Sequence, residues 1–163
     1  MIKMEQILVA TDFSSCAQAA LRQAVYLAKK LKGRITLLHV FDSPFPYPAH
    51  PSLRAYPQVL QWIQDFKQDE KKKLEAIVEK VRQEGIDVTP VFKEGSPSSD
   101  VVLAAQELKA DLIVLGTQGR SGLPHFLMGS VAEAVSRSAP CPVLVVREKE
   151  EEAPSGISKG KTT

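Results

Sequence analysis

The sequence predicts an α/β fold in which an open five-stranded parallel sheet carries helices on both faces. Five short apolar segments alternate along the chain with four segments in which apolar residues recur at the helical period. The apolar segments are continuous rather than alternating, which is typical of strands covered on both faces of a parallel sheet. Because crossovers between parallel strands are short and right-handed, the alternation favours a single Rossmann-like sheet.

A βαβ unit opens the chain. Continuous apolar strands are predicted over residues 6–11 and 34–41, and apolar residues recur at helical spacing between them. Ser14 and Ser15 can cap the start of that helix, and Gly33 is expected to stop it.

The middle of the chain contains a proline-rich segment and a long helix. Residues 42–51 include four prolines, which exclude a helix or a central strand, so this segment is expected to fold over something or to be mobile. A helix is predicted from about 58 to 84, and its charged run 67–73 is interpreted as a solvated face rather than a binding patch. The third strand, 87–93, contains Pro90, which favours a place at the sheet edge.

The second half repeats the alternation. Residues 98–100 can cap a helix predicted from about 101 to 108. The remaining elements are a fourth strand over 110–115, a helix over 131–137 and a final strand over 142–147. Residues 1–147 are expected to form one domain, and the charged segment 148–163 a disordered tail, because it has almost nothing to bury.

Composition excludes several classes of function. The chain of 163 residues is 44% hydrophobic and 25% charged, with a formal net charge of +2. Basic residues stand beside acidic ones without a basic face interleaved with aromatics, so no nucleic-acid partner is expected. No signal peptide is recognisable and no apolar run approaches the roughly 18 residues of a membrane span, so a cytoplasmic protein without a membrane partner is expected. Cys16 and Cys141 lack metal-ligand spacing and are interpreted as small buried thiols.

The segment after the fourth strand has the chemistry of an anion site. Gly116 and Gly119 lack Cβ atoms and can take positive φ, so the backbone can approach a ligand closely and turn its N–H groups toward it. Gly129 and Ser130 follow where a helix begins, and the first N–H groups of a helix have no internal partners. Both ends of this loop suit a phosphate group.

These residues carry a family resemblance. The spacing Gly-x2-Gly-x9-Gly-Ser, satisfied by Gly116, Gly119, Gly129 and Ser130, resembles the nucleotide-binding signature of the ATP-binding branch of the universal stress protein family. The segment Ala-Thr-Asp-Phe-Ser at 10–14 resembles the opening of that family, and Leu-Leu-His-Val at 37–40 its second strand. The resemblance covers about residues 3 to 147.

The resemblance implies a fold and a ligand. The fold is the Rossmann-like, adenine nucleotide alpha hydrolase-like sheet of order 3-2-1-4-5, in which strands 1 and 4 adjoin where the winding reverses. Ligands of open α/β sheets bind at that point, which places Asp12 opposite Gly116. The implied ligand is ATP with Mg²⁺ or Mn²⁺. The implied contacts are Ala10, Asp12, Val40, Leu115, Gly116, Gly119, Arg120, Gly129, Ser130 and Val131.

Several of these positions leave alternatives open. Asp12 can contact the ribose or help to hold the metal, as the family implies, or it can merely cap the first helix. Val40 matches the position whose main chain meets the adenine edge, whereas Ala10 stands where many ATP-binding members carry proline. Arg120 can neutralise phosphate charge or point into solvent.

The histidines and the apolar loop residues suggest no catalysis. His39 lies in a strand and is interpreted as a core histidine rather than a ligand, and no triad is evident around His125. Apolar side chains in the loop can pack as a lid or against a partner; they are Leu123, Phe126, Leu127 and Met128.

Three functions are consistent with these residues and with the resemblance. The first is an ATP-binding regulatory module of the stress response, a homodimer that is switched by nucleotide. The second is an enzyme, a slow ATPase or nucleotidyl transferase, but the chain has no Gly-x4-Gly-Lys-Ser/Thr motif to place a lysine on phosphates, which leaves efficient catalysis unsupported. The third is a nucleotide-free dimeric scaffold. The dimer is expected through residues 142–147, an apolar strand at the sheet edge that a second copy can cover.

Overall fold

The computed structural model describes residues 4–43, 55–120 and 127–148. All of its strands are parallel and follow the order β3-β2-β1-β4-β5, which confirms the predicted sheet. The strands are β1 (Gln6–Ala10), β2 (Arg34–Phe41), β3 (Val88–Glu94), β4 (Leu112–Gly116) and β5 (Val143–Val146). The helices are α1 (Ser15–Leu31), α2 (Pro57–Gln83), α3 (Pro97–Glu107) and α4 (Ser130–Ser138).

Two apolar cores lie on opposite faces of the sheet. On one face, β1, β2 and β4 pack with buried residues of α1 and α2, such as Ala24 and Val78. On the other, the same strands pack with residues of α3 and α4, such as Ala104 and Val135. Neighbouring residues of the central strands therefore point into different cores, which is why these strands are continuously apolar in sequence.

The ends of α1 follow local sequence. The Ser14 side chain accepts a hydrogen bond from the Ala17 N–H at 3.2 Å, as expected for a cap. At the other end, Lys32 rather than Gly33 takes the left-handed conformation, with φ of 53°. A Cβ on Gly33 would lie 3.0 Å from the carbonyl oxygen of Glu5. Gly33 therefore allows the backbone to pass close to Glu5, and the left-handed residue that ends the helix is Lys32.

The start of α3 differs from the prediction. The helix begins at Pro97, with Ser96 as its cap residue, instead of at about Val101. Proline suits the first turn of a helix because its missing N–H would have had no partner there. Residues 98–100 therefore lie within the first turn and do not cap it. Pro90, as predicted, belongs to the edge strand β3, opposite Leu37 of β2.

The charged run 67–73 is not uniformly solvated, and here the prediction was wrong at one residue. Glu70 is 2% exposed and lies on the buried face of α2, one turn before Leu74. Its neighbours Lys72 and Lys73 are exposed, as expected for the rest of the run.

Other predictions fall outside the described residues. They concern residues 44–51 of the proline-rich segment, Gly122, Leu123, His125 and Phe126, and the tail from 149 onward. The extent of the domain remains a prediction. Within the described ranges, no helix is both long enough and apolar enough to cross a membrane.

Candidate functional site

A cavity of about 360 Å³ opens at the carboxyl ends of β1 and β4, where the winding of the sheet reverses. It contains all ten residues predicted for the site. Those residues are Ala10, Asp12, Val40, Leu115, Gly116, Gly119, Arg120, Gly129, Ser130 and Val131. The sheet topology therefore joins two sequence segments that are about a hundred residues apart into one wall.

The glycines of the cavity wall allow neighbouring segments to pack closely, and they do not adopt a left-handed backbone conformation. Among the described glycines, only Gly85 and Gly95 have positive φ, so Gly116 and Gly119 do not use the positive φ that is open to a glycine. A Cβ on Gly116 would lie 2.8 Å from the carbonyl carbon of Cys16 in α1, and a Cβ on Gly129 would lie 3.2 Å from the carbonyl oxygen of Thr117. At Gly116 a side chain would therefore force the backbone of α1 to move, whereas at Gly129 the contact would be tight.

The first turn of α4 borders the cavity. Its cap residue is Gly129, whose N–H donates to the Thr117 carbonyl at 2.7 Å and which has no side chain to cap the helix. The following residues, Ser130, Val131 and Ala132, all line the cavity. Helix geometry leaves the N–H groups of this turn without intrahelical partners, at the positive end of the helix dipole. This end of the cavity favours an anion.

Asp12 has one oxygen engaged locally and the other at the cavity. Its Oδ1 accepts from the Ser14 N–H at 3.0 Å, so the residue does support the start of α1. Its Oδ2 faces the loop after β4, where it would lie 2.7 Å from a Cβ on Gly119. Capping and a role at the cavity are therefore compatible, because they use different oxygens.

Apolar side chains of β2 and α3 also line the cavity, together with Asp42, which follows β2. Leu38 and Val40 of β2 and Val101 of α3 are each at most 7% exposed. Sequence reasoning missed Pro97 and Val101 because it began α3 too late. Pro97 is the signal that could have located them, because proline is favoured in the first turn of a helix.

Arg120 lies at the rim in a fixed position. Its Nε donates to the Asp12 carbonyl oxygen at 2.6 Å, and its Nη2 donates to Glu70 Oε1 at 2.5 Å. The guanidinium carbon lies 5.6 Å from the centre of the Phe13 ring. The side chain is 49% exposed, but these two hydrogen bonds keep it at the cavity wall.

Behind this rim, His39 and Glu70 form a buried pair. His39 is 3% exposed, which confirms its place in the core, and its Nε2 lies 2.7 Å from Glu70 Oε2. Its Nδ1 lies 2.7 Å from the Thr11 carbonyl oxygen. Glu70 was missed because it sits in a charged run, although helical spacing from Leu74 and Val78 places it on the buried face.

The two cysteines are free, and only one is fully buried. Cys16 is buried in α1, and Cys141 is half-buried before β5. Burial, together with the negative charge of Asp111, raises the pKa of the Cys141 thiol, while a backbone hydrogen bond at Ile113 acts in the opposite direction. In the described part of the chain, no three His, Cys, Asp or Glu side chains are grouped to hold a metal ion.

Comparison with known proteins identifies the family. Residues 3–147 match the model of the universal stress protein family. The chain belongs to the universal stress protein family. A universal stress protein of Methanocaldococcus jannaschii is 32% identical over 148 residues, covering 91% of this chain and 85% of the relative. The universal stress protein YxiE of Bacillus subtilis is 34% identical over 147 residues, covering 87% and 98%.

Solved structures of universal stress proteins share the fold. UspA from Lactobacillus plantarum superimposes with a TM-score of 0.77 at 29% identity, covering 89% of this chain and 99% of that one. A universal stress protein from Archaeoglobus fulgidus in complex with dAMP has a TM-score of 0.60 at 25% identity, covering 90% and 99%. The fold of this family is the adenine nucleotide alpha hydrolase-like fold that the resemblance implied.

Proposed function

We propose that this universal stress protein binds an adenine nucleotide, ATP with Mg²⁺ or Mn²⁺, in the cavity between β1 and β4. In this proposal it acts as a dimeric regulatory module of the stress response whose state depends on the nucleotide. The observation that carries the proposal is that one cavity has two kinds of lining, apolar side chains from β2 and α3 and the anion-favouring start of α4. A nucleotide has two matching parts, an aromatic base and its phosphates.

These two kinds of lining suggest an orientation for the ligand. The base would lie against Ala10, Leu38, Val40 and Val101, with the main chain at Val40 available to its polar edge. The phosphates would lie between the loop after β4 and the first N–H groups of α4. A volume of about 360 Å³ falls in the usual range for small-molecule sites, which is about 300–1,000 Å³.

A relative supports the ligand class. The Archaeoglobus fulgidus universal stress protein with dAMP covers nearly the same length of chain at 25% identity. Adenine recognition is therefore known in a protein of the same fold. ATP is the proposed nucleotide because the spacing of Gly116, Gly119, Gly129 and Ser130 resembles the signature of the ATP-binding members of the family.

The cavity wall fits a metal ion that arrives with the phosphates. Mg²⁺ takes oxygen ligands and is commonly held by one or two carboxylates together with phosphate oxygens and waters. Asp12 offers one carboxylate oxygen, Oδ2, that its own capping interaction does not use. The metal would neutralise phosphate charge, and Asp12 would hold it close to the loop after β4.

The dimer in this proposal forms through residues 142–147. β5 pairs with β4 and is the last strand in the order, so one of its sides is a sheet edge. Leu144 in this strand is 36% exposed. An apolar edge of this kind invites pairing with another chain, and a second copy in antiparallel orientation would cover it symmetrically.

Two measurements test nucleotide binding. Mass spectrometry of the purified protein should detect an adenine nucleotide, and ATP with Mg²⁺ should raise the melting temperature, because a ligand that binds only the folded state stabilises it. GTP at the same concentration is the matched control and should have a smaller effect. No shift with ATP, ADP, AMP or dAMP, for protein with native circular dichroism, would leave the nucleotide-free scaffold as the better description.

A further inference from the structure

A chain of polar contacts runs from the sheet to the rim of the cavity. It begins at the Thr11 carbonyl, passes through His39 and Glu70, and ends at Arg120. The three links are 2.7, 2.7 and 2.5 Å long. Glu70 lies on α2 and does not line the cavity, so any effect of Glu70 on the cavity has to act through Arg120.

The donor and acceptor types in these contacts indicate which atoms carry protons. A carbonyl oxygen only accepts, so His39 Nδ1 carries a proton and donates it to Thr11. An ionised carboxylate also only accepts, so another proton lies between His39 Nε2 and Glu70 Oε2. The second oxygen of Glu70 then takes the guanidinium of Arg120, and within the described residues no buried side-chain oxygen or nitrogen is left without a partner.

Because Glu70 is buried, it favours a single position of the Arg120 side chain. Glu70 is 2% exposed, and a buried carboxylate that loses a charged partner is costly, because water cannot replace the lost hydrogen bond. An arginine at a surface loop would otherwise sample many rotamers. Glu70 therefore holds Arg120 in one geometry, in which its Nε also reaches the Asp12 carbonyl.

The segment around Phe13 is held by the same contacts. Phe13 has φ of 67°, a left-handed conformation that is unfavourable for a bulky residue and persists only where the surroundings impose it. Its ring lies 4.4 Å from the His39 ring, and the Arg120 guanidinium lies over it at 5.6 Å. His39 and Arg120 of the network therefore both contact the residue that follows Asp12.

We propose that Glu70 is a positioning residue of the cavity. By fixing Arg120 it holds the loop after β4 against the Asp12 turn, and it keeps the guanidinium at the cavity wall for an anionic group. Two of the three guanidinium nitrogens are occupied by Glu70 and Asp12, whereas Nη1 has no hydrogen-bond partner among the described residues. The part of this inference that concerns nucleotide affinity rests on the proposed function.

The first test needs no nucleotide. In an NMR spectrum of the free protein, the Nε–H signal of Arg120, assigned by its loss in Arg120→Lys, should be protected from exchange with water. Glu70→Ala, which removes the acceptor altogether, should free the guanidinium and abolish this protection, while Glu75→Ala, at an exposed position on the same helix, should leave it unchanged. A protected signal that persists in Glu70→Ala would overturn the inference, even if the protein binds no nucleotide.

The second test is a double-mutant cycle read as affinity for ATP with Mg²⁺. Glu70→Gln should weaken binding about tenfold, the low end of what one charged hydrogen bond contributes. The same substitution in an Arg120→Ala background should have no further effect, because Glu70 acts through Arg120. Equal losses in both backgrounds would show that Glu70 serves the fold alone.

A third variant keeps the inference testable if Glu70→Gln does not fold. Arg120→Lys retains the charge, but one ammonium group cannot reproduce the guanidinium fork that reaches Glu70 and the Asp12 carbonyl together. Its affinity for ATP with Mg²⁺ should therefore fall as far as that of Arg120→Ala. Full affinity in Arg120→Lys would mean that Arg120 acts as an unpositioned charge, which contradicts the inference.

Discussion

The carboxylate of Asp12 occupies the space that a side chain at Gly119 would need. A Cβ on Gly119 would lie 2.7 Å from Asp12 Oδ2, closer than real Cβ contacts come. The two residues are 107 positions apart in sequence, and they meet because β1 and β4 are neighbours in the sheet. This relationship ties the glycine of the loop to the acid of the opposite segment.

Gly119→Ala should displace the Asp12 carboxylate without unfolding the protein, since the group that must move is the end of a side chain. We expect affinity for ATP with Mg²⁺ to fall about tenfold and the melting temperature to change little, measured by calorimetric titration and thermal unfolding. In an Asp12→Ala background the same substitution should cost much less. If the two losses simply add, Gly119 and Asp12 act independently.

Gly116→Ala should act on stability instead. The added Cβ would lie 2.8 Å from backbone and side-chain carbons of Cys16, so α1 has to move away from β4. Overpacking of this kind typically costs about 1–3 kcal/mol of unfolding free energy, which a urea titration can measure. A variant of unchanged stability would show that the contact between α1 and β4 adjusts freely.

Asp12→Asn separates the two roles of that residue. The amide oxygen can still accept from the Ser14 N–H, so the start of α1 and the melting temperature should be preserved. Loss of the charge should weaken binding of ATP with Mg²⁺ by about 1.5–3 kcal/mol, with a smaller effect when Mg²⁺ is absent. Wild-type affinity under both conditions would reduce Asp12 to a capping residue.

Val145→Pro should dissociate the proposed dimer. The carbonyls of Pro142 and Val146 accept hydrogen bonds from the β4 side, at Ile113 and Thr117. Backbone groups alternate in direction along a strand, so the N–H of Val145 points away from β4 toward the edge. Light scattering should give twice 17.9 kDa for the wild type and a mass near the monomer for Val145→Pro.

Leu144→Pro is the matched control, because the Leu144 N–H points toward β4. It should lower the stability of the fold itself, whereas Val145→Pro should mainly change the mass. A wild-type monomer would reject the dimer. A dimer unaffected by Val145→Pro would place the interface elsewhere on the molecule.

Cys141 should react slowly with iodoacetamide. Burial and the charge of Asp111 raise its thiol pKa, so at a given pH less of the reactive thiolate is present than in an unfolded chain. Between about pH 7 and 9, alkylation followed by mass spectrometry should be slower in the native protein than in urea. Asp111→Asn should increase the native rate, and equal rates in native and unfolded protein would contradict the assigned shift.

Much of the fold and the membership of the site could be predicted from the sequence. Hydrophobic period is a local property, so each strand and helix was recognisable by itself, and Pro90 marked an edge strand because proline cannot donate to a central ladder. The glycine spacing after β4 and the acid after β1 identified the two segments that meet. The late prediction for α3 shows the limit of local signals, since Pro97 suits both a turn and a first helical turn.

The sequence by itself determined the order of elements, the strand that lies at the edge through Pro90, and ten of the residues that line the cavity. Only the tertiary structure decided that a side chain at Gly119 would meet the Asp12 carboxylate, that Glu70 is buried within a charged run, and that Arg120 joins Glu70 to the Asp12 turn. The physical reason is the distance along the sequence over which each kind of interaction acts. Propensity and periodicity act over a few residues, whereas these contacts join residues tens of positions apart and exist only after the sheet has brought α2 and the ends of β1 and β4 together.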